Sequence, residues 1–297
     1  MKRIFYSNVN YSCNSNCIFC YSHNTIHNGK RNREISCSAL SEYWQRNELS
    51  PKDSVIINGG EPLLHEEISA IIASLLKTGC EILLYTNGRL ASRLNILGFN
   101  SNIRFIVPIH GFRELHDEIT GVSGSYDETI DGLHHLADGN CLVDIKIILN
   151  HKMVSDPAIF DMTMNSLNNV PLNNTVHITT MADTIVSAKN KCPSVTRDQS
   201  SEYTKKAVEH FIGKYRIKLY DTCVRETAAY WDPLTIKPFD EPVIVFFKDE
   251  NIEKVVDLHP DGMKCRLSCP QRRFCKSAVC EYTVLELEQQ KIRITTE

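Results

Sequence analysis

The 297-residue chain has no long apolar run; its longest, such as Val243 to Phe247, fall far short of the ~18–20 residues a membrane-spanning helix requires. No transmembrane segment is expected. Its first residues, Met1 to Asn8, include Lys2 and Arg3 but no apolar stretch and no small-residue cleavage site behind them, so no secretory signal is expected and a cytoplasmic location is. Neither sign of charge is in excess. With 33 Lys and Arg against 36 Asp and Glu, a net charge of −3, the chain is not a polybasic wrapper for nucleic acid. Nor is it disordered, because 42% of its residues are hydrophobic and 23% charged. Internal repeats and low-complexity tracts are missing, and the length suits one large domain or two unequal ones.

Cysteine, in contrast, is abundant. Twelve cysteines in a chain with no export signal do not read as six disulfides, since the cytosol keeps thiols reduced and a core this large needs no covalent staples. Metal or metal-sulfur ligation is the better account. Three lie at 13, 17 and 20, four at 265, 269, 275 and 280, and Cys37, Cys80, Cys141, Cys192 and Cys223 stand singly.

Between the two clusters, short β-branched runs alternate with longer amphipathic ones. Ile4–Val9, Val55–Ile57, Glu81–Tyr85, Ile103–Ile109, Leu142–Leu149 and Val176–Thr179 read as strands, short and bounded by Gly, Asn or Pro. Glu66–Lys77 reads as a helix, with Ile68, Ile71, Ile72, Leu75 and Leu76 on one face and Gly79 as its stop. Tyr126–Ala137 and Pro157–Leu167 repeat that pattern. Alternation at this pitch implies parallel strands with right-handed crossovers, hence an α/β sheet or barrel of about six units before residue 220. Beyond Tyr220 the texture changes. Pro233, Pro238 and Pro242 interrupt helices, Lys248–Asn251 joins two strand-like runs as a hairpin, and Pro260-Asp261-Gly262 turns the chain into the second cysteine cluster. A boundary near 220 therefore separates a barrel, residues 1–220, from a small Cys-rich extension, residues 221–297.

Cys13-x3-Cys17-x2-Cys20 supplies three thiolates in a loop after the first strand. A structural zinc site is closed by four ligands, whereas an iron-sulfur cubane on three thiolates keeps one iron open for a substrate or cofactor. His23 is the residue that would complete a zinc site instead. The spacing, with Phe19 before the third cysteine, resembles the signature of the radical S-adenosylmethionine (SAM) superfamily. Gly59-Gly60-Glu61-Pro62 after one strand, Thr86-Asn87-Gly88 after the next, Ile109-His110-Gly111, Gly121 to Ser125, and Asn150 after a further strand follow in the family's order. The resemblance covers roughly residues 4 to 180 and implies a partial (β/α)6 TIM-type barrel. It also implies a 4Fe-4S cluster on Cys13, Cys17 and Cys20, and SAM held by Phe19, Gly59, Gly60, Glu61, Asn87, His110 and Asn150. Glu61 would take the methionine amino group and Phe19 the adenine side. Each position also has a plainer reading: the glycines as a strand-to-helix turn, Asn87-Gly88 as a turn dipeptide, His110 as a hydrogen-bonded strand end.

Cys265-x3-Cys269-x5-Cys275-x4-Cys280 offers the full complement for a second cubane or a zinc. It resembles the SPASM and twitch extensions of radical SAM enzymes, with two gaps one residue longer than usual. A single auxiliary 4Fe-4S cluster is the favoured expectation, zinc the alternative, with Cys223 a further candidate ligand. Lys264, Arg266, Arg272, Arg273 and Lys276 among these cysteines would support a negatively charged cluster. An anion or RNA patch is the rival reading, weakened by the near absence of stacking aromatics.

The resemblance implies an enzyme that cleaves SAM reductively to a 5′-deoxyadenosyl radical and abstracts hydrogen from a peptide or small-molecule substrate. An electron donor such as flavodoxin or ferredoxin is implied with it. Because the first cysteine lies at position 13, a leader-peptide-binding domain is not expected ahead of it, and a peptide substrate would call for a separate recognition protein. The rival class is a zinc-binding module with two structural sites that binds RNA or protein. Proton donors and radical relays are not assignable from sequence; Tyr220, Cys223 and His177 qualify by position only.

Overall fold

The computed structural model describes residues 3–20, 34–96, 99, 101–181 and 192–219, together with the backbone of four strands within 236–287. Seven parallel strands lie side by side in chain order: β1 (Arg3–Asn8), β2 (Ser54–Asn58), β3 (Glu81–Tyr85), β4 (Ile103–Ile109), β5 (Leu142–Leu149), β6 (Thr175–Thr180) and β7 (Arg216–Leu219). Parallel neighbours in sequential order require a crossover after every strand, the topology of an open (β/α) barrel.

The crossovers carry helices α1 (Cys37–Arg46), α2 (Ile68–Leu76), α3 (Arg113–Thr120), α4 (Ser125–Asp138), α5 (His151–Val154), α6 (Pro157–Ser166) and α7 (Arg197–Phe211). Their starts are written locally. Ser36 Oγ accepts from Ala39 N at 3.2 Å, Asp156 Oδ1 from Ala158 N at 2.8 Å with Pro157 behind it, and Thr196 and Gln199 form a reciprocal capping box. α4 takes its cap from another helix: the Asp117 carboxylate accepts from Gly124 N at 2.6 Å and Tyr126 N at 2.8 Å.

Strand alternation divides the sheet into two unlike faces. Phe5, Val55, Ile57, Ile82, Leu84, Phe105, Val107, Val143, Ile145, Ile147, Val176, Ile178 and Ile217 are buried in one continuous core with Leu40, Ile71, Leu75, Leu133, Phe160 and Val208 of the helices. The opposite face carries Tyr6, Asn58, Tyr85, Arg104, Asp144, Lys146 and His177 at the alternate positions. Cys80, Cys141 and Cys192 are buried and belong to the core, where burial pushes the Cys141 thiol up to about 11.

Strands beyond residue 220 extend the sheet at both edges. β9 (Val243–Lys248) runs parallel to β1 and pairs antiparallel with β10 (Asn251–Glu253), the anticipated hairpin. β11 (Leu285–Leu287) lies antiparallel to both β7 and β8 (Ile236–Pro238). His23, Tyr220, Cys223, Cys265, Cys269, Cys275 and Cys280 lie outside the described residues. Among the described residues no helix is long and apolar enough to cross a membrane.

Candidate functional site

A parallel sheet presents the loops after its strands at one end, and the signature residues gather there. Gly59 follows β2, Asn87 follows β3, His110 follows β4 and Asn150 follows β5. The cysteine loop leaves β1 on the same side. Asn16 N donates to Thr120 O at 2.8 Å and Ile18 N to Ile119 O at 2.9 Å, so the end of α3 clamps the loop from one flank. From the other flank, Asn87 Nδ2 donates to Asn14 Oδ1 at 2.6 Å and Arg89 donates to Asn14 O at 2.6 Å. Cys20 N closes a turn onto Cys17 O at 3.1 Å.

Cys13, Cys17 and Cys20 are half-buried and free of disulfides. Burial pushes the Cys13 thiol up to about 11, with Glu61 and Cys20 adding to the shift, and it raises Cys17 as well, with Cys20 and Cys13 adding, while Arg89 pulls both down. Among the described residues no group of three or more His, Cys, Asp and Glu forms a site for a single metal ion. Three thiols on one clamped loop, short of the four a closed structural zinc site takes, are the donor set of a cubane that keeps one iron open.

Gly59 and Gly60 are required by a close approach, but between two protein loops. A Cβ on Gly59 would lie 2.5 Å from Asn10 Oδ1, and one on Gly60 would lie 2.2 Å from the Ser12 carbonyl oxygen. Gly60 N donates to Asn10 O at 3.0 Å and Glu61 N to Ser12 O at 2.7 Å, so this loop is the floor on which the cysteine loop rests.

Three further expected site residues make their contacts within the protein. Glu61 is 1% exposed, and its carboxylate accepts from Leu63 N at 2.9 Å, Thr86 Oγ1 at 2.6 Å and Asn87 N at 2.7 Å. Burial pushes this carboxyl above the ordinary range against the pull of those donors. It latches the β2 loop to the β3 loop. Asn150 is fully buried: Oδ1 accepts from Met153 N at 3.1 Å, and Nδ2 donates to Ile148 O at 3.1 Å and reaches His110 O at 3.5 Å. Its amide is committed to capping α5. Phe19 joins the core at 7% exposure, its ring edge-on to His110 with centroids 5.3 Å apart, which is a packing role beneath the loop.

His110 keeps its capacity for a ligand. Its backbone N–H donates to His116 Nδ1 at 3.2 Å, while its own Nδ1 is buried with no hydrogen-bond partner among the described residues; Asn10 Oδ1 is orphaned likewise. Burial, then His116 and Lys146, holds the His110 imidazole down at about 3, so it is neutral at physiological pH. Unpartnered buried polar atoms on two of the loops that frame the cysteines fit a site completed by a bound polar molecule.

The family model for the Radical SAM superfamily matches residues 7–151, which contain the cysteine loop, the Gly-Gly-Glu loop, Thr86-Asn87-Gly88 and His110. Residues 7–151 form a radical SAM domain. Over 172 residues the chain is 26% identical to an Fe-coproporphyrin III synthase of Methanosarcina barkeri, covering 54% of this chain and 41% of that protein. Over 151 residues it is 33% identical to a probable GTP 3′,8-cyclase of Pyrobaculum aerophilum, covering 48% of this chain and 45% of that one. The chain thus spans less than half the length of these curated relatives, both of which are named as enzymes. Among solved structures, Streptococcus suis SuiB bound to S-adenosylmethionine superposes with a TM-score of 0.59 at 14% identity, over 74% of this chain and 50% of that one. SuiB bound to its precursor peptide SuiA gives 0.55, over 70% and 46%. The radical SAM domain therefore has the partial TIM-type barrel anticipated from the sequence.

Several residues of this site carry no motif. Asn14, Ser15 and Arg89 clamp the radical SAM domain's cysteine loop. On the concave face His177 Nε2 meets Asp144 Oδ2 at 2.7 Å, both buried, with Asn174 Nδ2 and Thr175 N also donating to Asp144. Burial lowers the pKa of His177.

Proposed function

We propose that the protein is a radical SAM enzyme that cleaves S-adenosylmethionine reductively and removes a hydrogen atom from an organic substrate. The observation that carries this reading is the three-thiol loop clamped at the carboxyl end of a parallel barrel, within a stretch that matches the family. When bound, a 4Fe-4S cluster and SAM supply a one-electron cleavage of the sulfonium and a 5′-deoxyadenosyl radical.

The chain's own part is to hold and to exclude. Cys13, Cys17 and Cys20 would be the cluster ligands, and the metal's positive charge would offset the cost of burying their thiolates. Asn87, Arg89 and the α3 terminus keep the loop in register. His110 Nδ1 would accept or donate a hydrogen bond to the cofactor, and the Gly59–Gly60 backbone would border it. The barrel face lined by Tyr85, Lys146 and His177 would receive the substrate away from bulk water.

In the same reading Cys265, Cys269, Cys275 and Cys280 carry an auxiliary 4Fe-4S cluster of SPASM or twitch type, and a flavodoxin or ferredoxin delivers the electron. The substrate is a peptide or a small molecule. The likeness to a fold that binds a precursor peptide supports the first, and relatives named as a tetrapyrrole synthase and a nucleotide cyclase support the second. Anaerobic reconstitution with iron and sulfide, followed by SAM and a low-potential reductant, tests the reading: 5′-deoxyadenosine is expected, while stoichiometric zinc without deoxyadenosine would end it.

A further inference from the structure

We propose that Arg89 is a positioning residue for the cluster: it fixes the loop beside Cys13 and sets the potential at which the metal centre accepts its electron. Arg89 belongs to no motif and follows the Asn87-Gly88 turn by one residue. Its side chain is only 9% exposed. One terminal nitrogen donates to Asn14 O at 2.6 Å and to Ser15 Oγ at 3.2 Å. The Ser15 backbone N–H in turn approaches Cys13 Sγ at 3.4 Å, so a chain of contacts runs from the guanidinium to a ligand sulfur.

The electrostatics follow from where the counter-charge sits. Arg89 Nε bonds Glu128 Oε2 at 2.6 Å, but Glu128 is 53% exposed, so water screens part of its charge and it offsets the guanidinium only in part. On the inner side the guanidinium lies against the half-buried cysteine loop, bonded to Asn14 O and Ser15 Oγ on the two residues that follow Cys13. A guanidinium stays charged at every accessible pH. One electron from a donor makes a three-thiolate cubane one unit more negative, and a fixed cation beside it stabilises that reduced state more than the oxidised one. Lysine would keep the charge but lose the fork that reaches Asn14 and Glu128 together.

The test uses the full-length protein reconstituted anaerobically, with the midpoint potential followed through the part of the reduced cluster's EPR signal that changes when SAM is added. Arg89→Gln, at unchanged iron content, should lower the reduction equilibrium at least tenfold, which is about 59 mV for one electron. Arg89→Lys should stay nearer the parent. Glu128→Gln, a surface change that frees the cation, should shift the potential upward. An Arg89→Gln protein with full iron content and the parent's potential would overturn the proposal. If Arg89→Gln fails to take up iron, Glu128→Gln decides: an upward shift supports the electrostatic role, and none refutes it. The inference rests on the radical SAM reading only in requiring a cluster on the three thiols. If the parent never yields deoxyadenosine, that reading fails; if only the potential is indifferent to these changes, Arg89 alone is misassigned.

Discussion

Replacing Gly60 with alanine should dislodge the cysteine loop, and the structure gives the scale. The added Cβ would lie 2.2 Å from Ser12 O, 2.6 Å from Ser12 C and 2.9 Å from Tyr11 C. All three are backbone atoms, so no side chain can rotate away. Reaching ordinary contact requires the two loops to part by roughly 1 Å, and overpacking of this kind costs about 1–3 kcal/mol. Separation also weakens Gly60 N to Asn10 O and Glu61 N to Ser12 O, each worth about 1 kcal/mol net. The sum, about 3–5 kcal/mol, is a large share of a typical domain's stability. Relief is cheaper if the Asn10–Cys20 segment detaches while the barrel stays folded. The expected outcome is a variant with near-parental far-UV circular dichroism and a lower melting temperature that retains little iron after anaerobic reconstitution. A Gly60→Ala protein with parental iron content and SAM affinity would show that the floor under the cysteine loop does not matter.

Thr86→Val removes the hydroxyl that donates to Glu61 Oε1 and accepts from Gly88 N, leaving a buried carboxylate short of a donor; a loss of about 2–3 kcal/mol is expected in urea unfolding. Asn150→Ala should cost about 1 kcal/mol through the lost cap and leave SAM affinity unchanged by calorimetry, whereas lost affinity at parental stability would return Asn150 to the cofactor. Asp53 is 2% exposed and bonded to Arg3 and Ser50, which hold its carboxyl down at about 2 in the folded chain. A depressed carboxyl contributes stability above its unfolded value near 4 and loses it as the pH falls toward 2. Parent and Asp53→Asn stabilities should therefore converge by about 1 kcal/mol between pH 5 and pH 3, and a constant gap would contradict the ion pair's role.

The strands were legible because each is a short β-branched run whose buried partners alternate, as Ile82 and Leu84 do on β3. The cysteine loop and the four strand-end positions were legible for the same reason: parallel topology sends every loop after a strand to one end. Helix α3, eight residues with Leu115 and Ile119 among charged neighbours, gives too short a period to stand out. What sequence could not reveal is which way a polar side chain turns. Glu61 turns inward because Thr86 and the Asn87 N–H lie on the next loop over, a fact of register between β2 and β3. Asn150 reads equally as a ligand or a cap until Met153 N is seen 3.1 Å away. The pairing of Asp144 with His177 likewise depends on the register of neighbouring strands.

The central claim is that three thiols hold a cluster with one open corner for SAM. Adding SAM to the anaerobically reconstituted, reduced protein should alter the EPR signal of a 4Fe-4S cluster. The alteration should vanish in Cys17→Ala and persist in Cys269→Ala. A signal indifferent to SAM, or bound zinc in place of iron at Cys13, Cys17 and Cys20, would contradict the account.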